Sequence, residues 1–247
     1  MSLLRVEGLG IDFGGLRAVN DVGFALGPGE IVSVIGPNGA GKTTLIGQLS
    51  GEIAPDAGAI RFKGQDITAQ PVHRRALMGL ARSFQITSVL RGFTALENVL
   101  LAVQAQDGHS FRFWKPALSE TALRETAMAV LDRVGLAARA DIPAAALAHG
   151  EQRQLELAMA LAGKPDLLLL DEPMAGMGPE ESVRMTELLA GLKGSVTILL
   201  VEHDMEAVFR LADRITVLVY GSAVATGTPD AIRADAAVRA AYLGGDS

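Results

Sequence analysis

The sequence predicts an α/β fold with a mainly parallel sheet, and two observations carry this prediction. A nearly all-apolar segment, residues 30–35, runs directly into a glycine-rich loop and a helix-like stretch that ends near Ser50. Two further apolar segments, residues 167–170 and 196–201, flank a helix-like segment at about 180–192. Strand–helix–strand order implies parallel strands whose carboxyl ends share one edge of the sheet. We therefore expect the functional site at that edge.

The two ends of the chain contain further β-like segments. Residues 4–11 and 18–26 are separated from each other and from residues 30–35 by glycine-containing breaks, and we expect an N-terminal antiparallel β subdomain there. Near the other end, residues 215–220 and 223–226 flank Gly-Ser and are expected to form a hairpin before a short terminal helix.

The middle of the chain has a different character. Apolar residues recur at helical spacing in residues 120–134 and 152–161, in a region rich in Ala, Leu, Arg and Glu. We expect an inserted α-helical subdomain over residues 86–161. Residues 1–85 and 162–247 are then the β-containing core of one domain that spans all 247 residues.

Composition excludes several classes of function. The 22 basic and 28 acidic residues give a net charge of −6, which disfavours nucleic acid as the main partner. The chain has no cysteine, which excludes disulfides and thiolate zinc sites. No export signal is visible at the N-terminus, and the apolar runs are far shorter than the ~18 residues of a spanning helix. We expect a cytoplasmic protein that reaches a membrane only through a partner.

The glycine-rich loop matches the phosphate-binding pattern G-x-x-x-x-G-K-[ST] without a mismatch. It consists of Gly36, Pro37, Asn38, Gly39, Ala40, Gly41, Lys42 and Thr43. Backbone N–H groups of such a loop and the N-terminus of the following helix attract an anion. Lys42 is predicted to reach the β- and γ-phosphates, the Thr43 hydroxyl to ligate Mg²⁺, and Thr44 to bind the α-phosphate. The alternative is a chance glycine-rich turn, but the strand before the loop and the helix after it favour nucleotide binding.

Two adjacent carboxylates, Asp171 and Glu172, follow the apolar segment 167–170. Asp171 is suited to hold Mg²⁺, and Glu172 is suited to polarise a water for attack on the γ-phosphate. An acidic pair at a strand end is usually a solvated cap. The phosphate loop in the same chain makes this pair a candidate for catalysis.

Residues 147–153, Leu-Ala-His-Gly-Glu-Gln-Arg, resemble the LSGGQ-type signature of ABC transporter nucleotide-binding subunits. The resemblance to that family runs over nearly the whole chain and implies an ABC ATPase fold. It implies that Ala148, Gly150 and Glu151 belong to the ATP site. In the family two ATPase subunits pair head to tail, so that the signature of one closes over ATP on the phosphate loop of the other.

Three more roles follow from the resemblance. Phe13 matches the aromatic residue that stacks on adenine, and Gln85 matches the glutamine that contacts Mg²⁺ or the lytic water. His203 matches the switch histidine that contacts the γ-phosphate and positions Glu172.

The sequence departs from the family pattern at two positions. Ala148 stands where a serine usually donates to the γ-phosphate, and Gly178 stands where many relatives carry aspartate. We therefore expect an ATP site that is formed but weakened where this signature contributes.

Finer details are most similar to ATPases of importers for branched-chain and other hydrophobic amino acids. Among them are residues 79–85 and 96–99, the form of the signature, and the terminal Ala241-Tyr242-Leu243-Gly244. This kinship implies MgATP, a homologous or identical second ATPase, two membrane permeases and, indirectly, an extracytoplasmic solute-binding protein. The subunit would lie on the inner face of the cell membrane.

Several alternatives remain open at the level of sequence. Related transporters handle urea or short amides, and one branch extracts lipopolysaccharide. A non-transport ABC ATPase usually carries a long coiled-coil insertion or a second cassette, and 247 residues hold neither. A regulatory module without hydrolysis is disfavoured because Glu172 and His203 are both present.

Overall fold

The fold is α/β, and the computed structural model describes residues 2–83, 89–106 and 121–238. The strands are β1 (Leu4–Phe13), β2 (Leu16–Leu26), β3 (Ile31–Ile35), β4 (Ala57–Phe62), β5 (Gln65–Asp66), β6 (Leu80–Arg82), β7 (Leu167–Asp171), β8 (Thr197–Val201), β9 (Arg214–Val219) and β10 (Ser222–Gly227). The helices are α1 (Lys42–Ser50), α2 (Val72–Leu77), α3 (Ala95–Gln106), α4 (Thr121–Arg133), α5 (His149–Ala162), α6 (Pro179–Leu192), α7 (Met205–Leu211), α8 (Pro229–Ala234) and α9 (Ala236–Val238).

A six-stranded sheet in the order β10-β9-β3-β8-β7-β6 forms the centre of the fold. All its neighbouring strands are parallel except β10, which pairs antiparallel with β9. Every residue of β3, β7 and β8 is buried because both faces of the sheet are covered. Leu168 and Leu170 belong to the cluster of the α3–α6 side, whereas Leu167 and Leu169 belong to the cluster with α1 and the second sheet. The predicted mainly parallel sheet is confirmed.

The second sheet is antiparallel and has the order β2-β1-β4-β5. Its first two strands are longer than the sequence predicts, because they continue to the tight turn at Gly14 and Gly15. Both glycines have positive φ values, 54° and 94°, which glycine adopts at little cost. The sequence interpretation assigned no element to β4, β5, β6 or α2.

Helices α3, α4 and α5 share one apolar cluster with residues of β7 and β8. The predicted helical segments 120–134 and 152–161 correspond to α4 and α5, and α5 begins three residues earlier, at His149. Two 3-10 turns, Ala137–Arg139 and Ala144–Ala146, connect α4 to α5. The division at residues 86 and 161 remains a prediction, because residue 86 lies outside the described residues.

The predicted C-terminal hairpin is present, with its turn one residue earlier than the predicted Gly221 and Ser222. Its two turn residues, Tyr220 and Gly221, have φ values of 47° and 78°, as a type I′ connection between twisted strands requires. Helices α8 and α9 follow it. Within residues 2–83, 89–106 and 121–238, no helix is both long enough and apolar enough to cross a membrane.

Candidate functional site

The glycine-rich loop connects the carboxyl end of β3 to the first turn of α1. Gly41 is the N-cap of α1 with φ 97°, and a Cβ at this position would collide with the carbonyl oxygen of Ala18. An α-helix leaves its first N–H groups without intrahelical partners, and glycine has no side chain to accept from them. The start of α1 therefore offers donors to an anion, as the sequence predicts for a phosphate.

Lys42 is folded into this loop. Its ammonium donates to the carbonyl oxygens of Gly36 at 2.7 Å and Pro37 at 3.1 Å, and the residue is 7% exposed. Burial lowers the pKa of Lys42, although the negative charges of Glu172 and Asp171 oppose this shift. An anionic ligand beside the ammonium would compensate for the desolvation of this cation.

Asp171 is the last residue of β7 and is 2% exposed. Its Oδ1 is buried without a hydrogen-bond partner, and its Oδ2 accepts from Arg82 at 3.4 Å. Burial raises the pKa of Asp171, and the positive charges of Arg82 and Lys42 offset part of this effect. An unpartnered, buried carboxylate oxygen beside a phosphate loop fits a hard cation such as Mg²⁺, which takes one or two carboxylates plus phosphate oxygens.

Glu172 and His203 follow the ends of neighbouring parallel strands, β7 and β8. Glu172 Oε1 lies 3.9 Å from His203 Nδ1, a distance that allows an ion pair when the imidazole is protonated. The backbone of Glu172 is left-handed with φ 51°, and its N–H donates to Val201 O at 2.8 Å. Such a backbone is costly for a non-glycine residue and is common at functional sites. The structure thus brings together Lys42, Asp171, Glu172 and His203 at one sheet edge.

Phe13 ends β1 on a hairpin that is tied to the phosphate loop. Asn20 N donates to Gly221 O at 2.8 Å, and Gly221 N donates to Ala40 O at 3.1 Å. The Phe13 side chain is half exposed. It is therefore accessible for stacking, as the resemblance implies.

The signature segment starts α5, with Ala148 as the N-cap and Gly150 buried in the first turn. The Ala148 N–H donates to Glu151 Oε2 at 2.9 Å, and Glu151 Oε1 lies 3.0 Å from Arg139 Nε. The Glu151 carboxylate thus shapes the start of its own helix. Gln85, the remaining predicted site residue, lies outside the described residues.

Gly178 occupies the N-cap of α6, immediately before Pro179. Its N–H donates to Glu181 Oε2 at 3.1 Å. The helix start therefore retains one reciprocal hydrogen bond and lacks the side-chain acceptor that an aspartate would supply.

Sequence reasoning missed two residues at this site. Arg82, at the end of β6, joins Asp171 to Glu52, with a 2.5 Å contact between Arg82 Nη1 and Glu52 Oε2. Glu202 is 1% exposed and precedes His203. For Glu202 the available signal was its position directly after the apolar segment 196–201, whereas no comparable apolar run precedes Arg82.

The comparisons with known proteins agree with this geometry. Residues 19–175 match the model of the family described as ABC transporter. The chain belongs to this family, as an ATP-binding protein, and the prediction of a transport-coupled ATPase is confirmed. Residues 224–247 match a second model, described as branched-chain amino acid ATP-binding cassette transporter.

Relatives and solved structures give the same family and fold. The chain is 43% identical to the LivG high-affinity branched-chain amino acid transport ATP-binding protein of Escherichia coli K12, over 98% of each chain. It is 41% identical to BraF of Pseudomonas aeruginosa, also over 98% of each. The ADP conformation of MJ1267, an ATP-binding cassette of an ABC transporter, superposes with a TM-score of 0.88 at 29% identity over 99% of each chain. The sequence-based resemblance to branched-chain amino-acid importer ATPases is confirmed.

Replacing Asp171 with asparagine is expected to stabilise the nucleotide-free protein at neutral pH. An acid whose folded pKa is raised contributes stability that is full below its ordinary pKa of 3.8 and is lost as the pH rises through the raised value. The free energy of unfolding of Asp171→Asn relative to wild type should therefore rise with pH across this window and then level off. Urea unfolding at a series of pH values measures this difference.

Asp132→Asn, on the exposed side of α4, is the control for loss of a carboxylate charge. A stability difference for Asp171→Asn that falls as the pH rises would contradict the prediction.

Proposed function

We propose that this chain is the ATP-binding and ATP-hydrolysing subunit of an importer for branched-chain or other hydrophobic amino acids. The observation that supports hydrolysis is the grouping of Lys42, Asp171, Glu172 and His203 beside the phosphate loop. The match of residues 224–247 to a branched-chain amino acid transporter model supports the class of solute.

The chemistry of the proposed reaction is an in-line attack of water on the γ-phosphate. Lys42 and the N–H groups of the loop bind the phosphates, Glu172 accepts a proton from the attacking water, and His203 orients Glu172 and the γ-phosphate. Asp171, Thr43 and Gln85 are the proposed ligands of Mg²⁺, which when bound would neutralise charge on the phosphate oxygens. Thr44 would hold the α-phosphate, and Phe13 would stack on adenine.

The proposed working unit is a head-to-tail pair with an identical or related ATPase. The N-terminus of α5, at Ala148 and Gly150, would face ATP on the partner's phosphate loop, because its N–H groups form a second anion site. ATP would then hold the dimer closed, and loss of the γ-phosphate would release it. The helical subdomain, proposed as residues 86–161, would carry this signature.

The proposed location is the inner face of the cell membrane, where the subunit would dock on two permeases. An extracytoplasmic binding protein would deliver the solute. The contacts with the permeases and with the binding protein are not part of the ATP site described above. The identity of the solute therefore has to be tested in the whole transporter.

The test uses the complete complex in vesicles, with its permeases, partner ATPase and binding protein. We expect ATP-dependent uptake of labelled leucine, isoleucine or valine, and stimulation of ATPase activity by the loaded binding protein. Urea and acetamide are the comparison solutes, since related transporters handle them. Uptake of these solutes alone would overturn the amino-acid assignment. Co-purification with nucleic acid in place of permeases would overturn transport itself.

Ala148→Ser is expected to strengthen the site that this chain completes for its partner. A serine hydroxyl at the N-cap of α5 would accept from a first-turn N–H and raise the free energy of unfolding by about 1 kcal/mol. It would also donate to the γ-phosphate, and one hydrogen bond of ~1 kcal/mol corresponds to about a fivefold gain in ATPase activity. Urea unfolding of the subunit and phosphate release by the complex measure the two effects.

Ala146→Ser, an exposed alanine in the preceding 3-10 turn, is the matched control. Unchanged ATPase activity of Ala148→Ser in the assembled transporter would reject the hypothesis of a weakened site.

A further inference from the structure

Glu202 is a buried carboxylate between the two segments that carry Glu172 and His203. It follows β8 directly and is 1% exposed. Its Oε1 accepts from Met174 N at 2.9 Å, and its Oε2 accepts from His203 N at 2.9 Å and from Asp204 N at 3.4 Å. One side chain therefore binds backbone groups on both sides of the site.

The two oxygens of Glu202 serve different segments. Oε1 holds the stretch that begins two residues after Glu172 and leads into α6, whereas Oε2 holds the turn that contains His203 and leads into α7. A second tie joins the same segments, because Glu172 N donates to Val201 O at 2.8 Å. The Met174 segment and the His203 turn are therefore joined by two separate hydrogen-bonded contacts.

The hydrogen bonds of Glu202 depend on both the carboxylate group and the length of the glutamate side chain. A buried carboxylate is costly unless its oxygens are hydrogen-bonded, and backbone N–H groups supply strong charge-assisted bonds. An amide has one acceptor oxygen, so Glu202→Gln would direct its NH₂ group at one of the N–H donors. Glu202→Asp keeps the charge but is one methylene shorter, so it cannot span both segments in the same way.

We propose that Glu202 is a positioning residue for ATP hydrolysis, which holds the Met174 segment and the His203 turn in one fixed arrangement beside Glu172. This inference rests on the proposed function. The side chain contacts neither the phosphate loop nor Lys42 in any hydrogen bond of the described residues. Its loss should therefore slow the chemical step and leave nucleotide binding intact.

Steady-state kinetics of the complete complex test the proposal. Glu202→Asp and Glu202→Gln are expected to lower kcat by about 10- to 100-fold, the range that a misplacement of about 1 Å costs, with KM for ATP unchanged. Glu206→Gln, an exposed glutamate in the first turn of α7, is the matched control and should retain wild-type kcat. Wild-type kcat in both Glu202 variants, or an equal loss of ATP affinity, would overturn the proposal.

NMR of the histidine side chains is a second measurement, which distinguishes a change at His203 from poor folding of a variant. In the full-length subunit the imidazole signal of His203, assigned with His203→Gln, should shift in Glu202→Asp. The signal of His73, in α2, should stay in place and report an intact fold. An unchanged His203 signal would overturn the proposal. Failure of the proposed function gives a different result, because the wild-type complex itself would then show neither ATP turnover nor ATP-dependent uptake.

Discussion

Glu172→Gln is expected to reduce ATP turnover by about 10³-fold while ATP still binds. Glutamine has the shape of glutamate but cannot take a proton from water, and a positioned general base contributes about 10²- to 10⁴-fold. The substitution leaves the phosphate loop, Lys42 and the buried Asp171 unchanged, so the groups that hold the phosphates remain. Phosphate release by the complex and binding of a fluorescent ATP analogue measure the two quantities separately.

The same variant should accumulate as an ATP-bound pair, because the γ-phosphate that holds the two subunits together is no longer removed. Size-exclusion chromatography with and without ATP detects the pair. The matched control is Glu180→Gln on α6, whose side chain is 92% exposed. Turnover at the wild-type rate in Glu172→Gln would show that another group activates the water.

The elements that carry the site could be predicted because the burial of each strand is visible in its own sequence. The strands β3, β7 and β8 are buried on both faces, so their sequences are nearly continuous apolar runs. Because these strands are parallel, the residues that follow each apolar run lie at the same edge of the sheet. The phosphate loop, Asp171, Glu172 and His203 all follow such a run.

The supporting residues were not predictable from the same signals, because their roles depend on contacts between distant segments. In the sequence, Glu202 is simply a polar residue that follows an apolar segment. Only the fold shows that its side chain accepts a hydrogen bond from Met174 N. Arg82 reaches Asp171 across 89 positions in sequence. The strands β4, β5 and β6 are short or partly exposed and lack a continuous apolar run.

Arg75 is the most extreme case of a charged residue whose role only the fold reveals. It lies in α2 and is 1% exposed. Its guanidinium donates to four carbonyl oxygens, on Gln48 and Leu49 at 2.7 Å each, Gln70 at 2.8 Å and Thr68 at 2.9 Å. Burial lowers the pKa of Arg75.

Two of these acceptors explain why an arginine is placed here. Gln48 and Leu49 lie in the last turn of α1, where the helix dipole favours a cation. Gln48 O also accepts from Gly51 N at 3.3 Å, so Arg75 adds a second donor there and supplies a donor to Leu49 O. Gly51, the C-cap of α1, has φ 89°, and a Cβ at this position would come within 2.8 Å of Arg75 Nε. Arg75 therefore anchors the far end of the helix that begins at the phosphate loop.

Arg75→Met is accordingly expected to lower the free energy of unfolding by about 3 kcal/mol or more, since it leaves buried carbonyl oxygens without their donor. Arg75→Lys should recover part of this loss, because an ammonium keeps the charge but cannot donate to all four oxygens as the planar guanidinium does. Arg74→Met, an exposed arginine on the same helix, is the matched control and should change stability by less than about 0.5 kcal/mol. Urea unfolding of the three variants measures the differences. Equal stability of Arg75→Met and Arg74→Met would show that water or neighbouring donors replace the guanidinium, and that α1 is held by its apolar contacts alone.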